Sequence, residues 1–161
     1  MSAIFSGDAD SILSRAKSIA HEASHEYVGT DHIFAAICER GVVVLSEFLT
    51  RRSISVATVI EKVREMGFGR VFPASELPFT PKAKDVLCRA IRLTHCFPVT
   101  AERILYAILE GACRAKGNDG TVWLLTRLGI SVSEMHSLLQ RIEPPTCWPP
   151  DDPPLRAGQG E

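Results

Sequence analysis

Apolar residues recur along most of this chain at the three- and four-residue spacing of an α-helix that buries one face. Ala9 to His25 carries Ile12, Leu13, Ala16, Ile19, Ala20 and Ala23 on one stripe. Thr30 is the expected N-cap of a second helix, Asp31 to Arg40, with Ile33, Phe34 and Ile37 on its inner face. Val42 to Arg52 repeats the spacing through Val43, Leu45, Phe48 and Leu49. Ser55 is placed to cap a fourth helix with Val56, Val59, Ile60 and Val63 inward, and Gly67 and Gly69 are expected to stop it. Val71 to Phe79 holds Pro73 and Pro78 and reads as a connecting loop. Helices then resume at Pro81 to Leu93, with proline in the first turn, and at Ala101 to Ala115, Gly120 to Leu128 and Ser131 to Ile142. No alternating run is long enough for several strands, so the expected fold is all-α with about eight helices.

Proline placement sets the far boundary. Six of the ten prolines fall within residues 143–161, where fixed φ angles and missing amide donors forbid a helix. This stretch is expected to be a disordered, proline-rich tail, with Trp148 the residue able to dock it. The charge balance, 18 basic against 19 acidic side chains, argues against a nucleic-acid binder. No apolar run approaches the length of a membrane span, and MSAIFSGDAD turns acidic too early for a secretory signal. Five cysteines, odd in number and without CxxC spacing, read as reduced thiols in a cytoplasmic protein.

The chain is internally repetitive. Thr50-Arg51-Arg52-Ser53-Ile54-Ser55-Val56 aligns with Thr126-Arg127-Leu128-Gly129-Ile130-Ser131-Val132, Phe5-Ser6 with Phe79-Thr80, and Asp31 to Ile37 with Glu102 to Ile108, at shifts of 76, 74 and 71 residues. Two four-helix repeats related by a pseudo-two-fold axis follow. Repeat 1 spans about 5–67, a connector about 68–78, and repeat 2 about 79–142.

Tyr27-Val28-Gly29-Thr30-Asp31-His32-Ile33, Pro78-Phe79-Thr80-Pro81-Lys82-Ala83-Lys84 and Leu128-Gly129-Ile130-Ser131 together resemble the amino-terminal repeat domain (Clp R domain) of ClpA/ClpC-type AAA+ unfoldases. The likeness covers Phe5 to Ile142. It implies a non-catalytic domain that docks substrates and adaptors of a Clp ATPase ring, with no cofactor. The chain has no Gly-Lys pair, hence no phosphate-binding loop of the ATPase modules, and no ATP hydrolysis is expected. In one branch of the family each repeat offers a pocket for phosphorylated arginine. The resemblance places Ser6 with Asp31 in the first pocket and Thr80 with Glu102 in the second. A helix-head hydroxyl suits the phosphate, and a carboxylate suits the guanidinium. The chain departs from the pattern in three respects. Asp31 is one methylene shorter than the family glutamate, Ser6 is followed by Gly7-Asp8, and repeat 2 reads Val99-Thr100-Ala101-Glu102 where a Gly-Thr pair is expected. Its opening helix is also about one turn short.

The sharp alternative is a zinc hydrolase. His21-Glu22-Ala23-Ser24-His25 is a literal HExxH, which on a helix puts two imidazoles on one face with Glu22 as general base. The extended motif fails, since Val28 and Asp31 stand where glycine and the third histidine belong. The family resemblance accounts for His25 and His32 independently. His95-Cys96 is a weak nucleophile–base pair. Arg51-Arg52 offsets a helix dipole, while Phe68, Phe72 and Trp123 read as packing. The expected function is therefore protein binding. The chain serves either as an adaptor or decoy holding modified substrates, or as a regulator contacting the Clp ring.

Overall fold

The computed structural model describes residues 4–66, 77–93, 98–114 and 120–142. Among these residues there are eight helices, α1 (Gly7–Glu22), α2 (Thr30–Arg40), α3 (Val43–Arg51), α4 (Val56–Arg64), α5 (Pro81–Arg92), α6 (Ala101–Arg114), α7 (Gly120–Arg127) and α8 (Val132–Arg141). Among the described residues there is no strand longer than an isolated bridge. No helix there is long and apolar enough to cross a membrane. Expectations for Gly67, Phe68, Gly69, Phe72, His95, Cys96, Cys147, Trp148 and the tail lie outside the described residues.

Helix heads repeat across the two halves. Ser6 Oγ accepts from the Ala9 amide and Thr80 Oγ1 from the Ala83 amide, both at 3.1 Å. Ser55 and Ser131 cap α4 and α8 in the same way, from Thr58 and Glu134. Each such cap is worth about 1 kcal/mol. Ahead of those caps the chain turns through a left-handed residue, Ser53 in one half and Gly129 in the other. Helix α5 has 12 residues against 16 in α1, the missing turn expected from the sequence.

Two short parallel bridges fix how the halves meet. Phe5 pairs with Val99, and Val28 with Phe79. Ser6 N–H donates to Val99 C=O while Thr80 N–H donates to Val28 C=O, each at 2.9 Å. Exchanging the halves turns one bridge into the other, which is the signature of the pseudo-two-fold axis. Packing obeys the same exchange: α1 lies on α2 and α5 on α6, α1 touches α6 as α2 touches α5, and α3 meets α8 as α4 meets α7. Helices α2 and α6 meet in the middle, and Ile33, Phe34, Ile37, Ile104, Leu105 and Ile108 join a single apolar cluster drawn from both halves. Burying each such side chain contributes about 1.5–3 kcal/mol.

Several local expectations need correction. Gly29, rather than Thr30, is the N-cap of α2, and Thr30 is its first helical residue. Val43 opens α3 on the solvent side, while Val56 at the head of α4 is half-buried. Trp123 is 40% exposed and stacks under Arg127, 4.6 Å from the ring centre, instead of packing inside. Cys38 is buried and its thiol pushed well up by burial, Cys113 is half-buried, and Cys88 is exposed. Arg52 does more than sit at a helix end. It ion-pairs with Glu134 at 2.8 Å and donates to Gly129 C=O, tying the two halves together.

Candidate functional site

The bridges bring the head of each repeat's first helix against the head of the other repeat's second helix. The four residues singled out from the sequence therefore meet in a crossed arrangement. Ser6 and Glu102 line one cleft of about 270 Å³, with Asp8, Arg40, Val43 and Thr100. Asp31 and Thr80 line another of about 290 Å³, with Gly29, Lys82 and Gly120. The pairing within repeats, Ser6 with Asp31 and Thr80 with Glu102, is replaced by pairing between repeats. Sequence alignment matches equivalent residues and carries no information about which copy faces which.

In both clefts the cap hydroxyl accepts a helix amide and keeps its own proton to donate. The acids differ. Glu102 is exposed at the head of α6, whereas Asp31 is 6% exposed at the head of α2. Asp31 folds back against two glycines. A Cβ on Gly29 would stand 2.4 Å from Asp31 Oδ1, and one on Gly120 would stand 3.0 Å from it. The carboxylate thus occupies space at the amide ends of α2 and α7, where negative charge is favoured. Burial pushes the Asp31 carboxyl up, but the contact with His32, whose Nδ1 lies 3.4 Å from Oδ1, together with a backbone hydrogen bond and the nearby His25, outweighs it. The acid ionises below the usual carboxylate range.

Gly29 has no side chain to cap α2, and His32 fills part of that role. The Gly29 amide donates to His32 Nδ1 at 2.9 Å, so the neutral ring carries its proton on Nε2. That nitrogen lies 2.6 Å from His25 Nδ1, and the rings meet edge to face. Burial first, and then the charge of His32, lower the His25 pKa; Asp31 and the Arg64 carbonyl act the other way and are outweighed. In repeat 2 the same corner is capped by Thr100 Oγ1, which accepts from the Arg103 amide at 3.4 Å.

This corner also removes the geometric premise of the zinc motif. Helix α1 ends at Glu22, and Ser24 takes a left-handed conformation. His25 consequently leaves the face of His21 and turns onto His32. Glu22 ion-pairs with Arg15 at 2.9 Å and Arg64 at 3.6 Å. Among the described residues no group of histidine, cysteine or acidic side chains is arranged to hold a metal. Lys82 and Gly120 are the cleft residues that sequence reading missed. The available signal was positional: Lys82 falls at the repeat equivalent of Asp8, and Gly120 at the head of α7 where α3 has Val43.

Comparison with known proteins agrees with this architecture. A ClpA homolog, the ATP-binding subunit of an ATP-dependent Clp protease from Cyanidium caldarium, is 30% identical over 143 residues, 86% of this chain and 16% of that protein. The Arabidopsis thaliana chloroplastic chaperone ClpC1 is 26% identical over the same share of the chain and 15% of its own length. The chain thus spans about one-sixth of these relatives. The Hsp104 N-terminal domain from Candida albicans superposes with a TM-score of 0.63 at 17% identity, covering 85% of this chain and 89% of that one. The N-terminal domain of ClpD from Arabidopsis thaliana gives 0.62 at 16% identity, covering 85% and 92%. The family profile of the Clp repeat (R) N-terminal domain matches residues 4–116, and the chain belongs to that family.

Proposed function

We propose that this chain is a non-catalytic docking domain that holds protein ligands for a Clp-type unfoldase, gripping phosphorylated arginine side chains in the clefts between its repeats. The observation that carries this reading is the crossed pairing of a helix-head hydroxyl with an acid. A phospho-guanidinium is anionic at one end and a planar donor at the other. Thr80 with the head of α5, and Ser6 with the head of α1, offer amide and hydroxyl donors for the phosphate. Asp31 and Glu102 supply acceptors for the remaining guanidinium donors. Glu22 is engaged by two arginines and His25 is turned onto His32, so the zinc hydrolase reading has no geometric support.

The test is titration of a fluorescent phosphoarginine peptide against the wild type and the Asp31→Ala/Glu102→Ala double variant. Saturable binding to the wild type, lost in the double variant and absent for the unphosphorylated peptide, is expected. No binding to the wild type would overturn the reading. A second reading, that the chain regulates the Clp ring itself, is favoured by the exposed, arginine-stacked Trp123 on α7, which lines neither cleft. Co-purification with a Clp hexamer that survives the double substitution and is lost on Trp123→Ala would select it.

A further inference from the structure

The pseudo-two-fold axis allows the two clefts to be compared position by position, and they differ most in charge. At the second helical position beyond the cap, α1 has Asp8 and α5 has Lys82. Both side chains are exposed and both line their clefts. In the Ser6–Glu102 cleft the available cation, Arg40, is ion-paired with Asp8. Glu102 is left as the uncompensated charge of that lining, so a phosphate entering it meets net negative charge. In the Asp31–Thr80 cleft Lys82 forms no ion pair with a carboxylate among the described residues. Pro81 also removes one of the amide donors that the head of α5 would otherwise offer, which leaves the Lys82 ammonium as the main positive group for a phosphate there.

The third-helix heads differ in the same sense. Gly120 leaves room for Asp31 to lie low in its cleft, while the other cleft has Val42 and Val43 at that place. One cleft therefore has its cation and its acid separated, as a zwitterionic side chain requires. The other has its acids together and its cation neutralised.

Resting on the docking reading above, we propose that phosphoarginine selectivity resides in the Asp31–Thr80 cleft alone, with Lys82 as its determinant, and that Asp8 closes the Ser6–Glu102 cleft to phosphate. An unfavourable charge in the wrong site is a common way for specificity to be built.

Isothermal titration with a phosphoarginine peptide tests this on the intact chain. One equivalent is expected to bind. Lys82→Glu is expected to weaken binding at least tenfold with an unchanged melting temperature. Asp8→Lys, at an exposed position, is expected to raise the stoichiometry to two. Two equivalent sites in the wild type, full affinity in Lys82→Glu, or a stoichiometry still at one in Asp8→Lys would each overturn the proposal while leaving the docking reading intact. Absence of any binding to the wild type would instead remove the docking reading, and this proposal with it.

Discussion

The corner around Asp31 and the corner around Glu102 occupy equivalent places in the two halves, yet they are built differently. In the first, an acid is buried against two glycines and beside two histidines whose rings meet edge to face. In the second, a threonine caps the helix and the acid stands in solvent. The backbone is nearly the same in both, since the same bridge and the same first-helix cap recur. Symmetry of the chain path therefore does not oblige symmetry of chemistry. Two glycines decide where the carboxylate can lie, because a Cβ at position 29 or 120 would crowd it.

The most disruptive way to break the contrast is to give the first corner the valine of the second. Gly120→Val is expected to force Asp31 out of its niche and cost about 1–3 kcal/mol through overpacking, read by chemical denaturation, with peptide binding at that cleft falling in step. The next test uses pH. His25 has a lowered pKa in the folded chain, so the unfolded chain binds the extra proton. Stability is then expected to fall as pH drops below about 6.5, by up to about 1.4 kcal/mol per unit until the folded value is reached. His25→Gln is expected to flatten that slope in melting curves taken between pH 7 and 5. Matched cap deletions probe what the halves share: Ser6→Ala and Thr80→Ala are each expected to cost about 1 kcal/mol. A difference of more than about twofold between them would show that the heads of α1 and α5 are not equivalent. The smallest effect separates the acids. Asp31→Asn is expected to cost about 0.3–1 kcal/mol at its helix heads, and Glu102→Gln to stay within about 0.5 kcal/mol on the surface.

Much of the architecture was legible in the sequence because helical periodicity and cap residues are local signals. Ser55 caps where its hydroxyl suggested, and the repeat alignment located the pseudo-two-fold axis. Thr30 misled because a hydroxyl before an apolar run normally reads as a cap. Here the acid after it needs the glycine before it, and a histidine takes the amide. The HExxH match misled for a related reason: nothing in those five residues announces that the helix stops at Glu22. The crossing of the clefts was invisible, since it depends on which half packs against which. Trp123 was misread because its stripe partners are apolar, while the cation that covers it comes one turn later on the same helix.

The interlocked bridges carry a consequence for how such a chain can change over time. Either half alone owns only one wall of each niche, so an unfused ancestor would have needed to self-associate to make any niche. In such a homodimer every substitution would strike both niches at once. Joining the copies end to end lifts that constraint, and a lysine and an aspartate can then settle at mirrored positions without either change being copied to the other side.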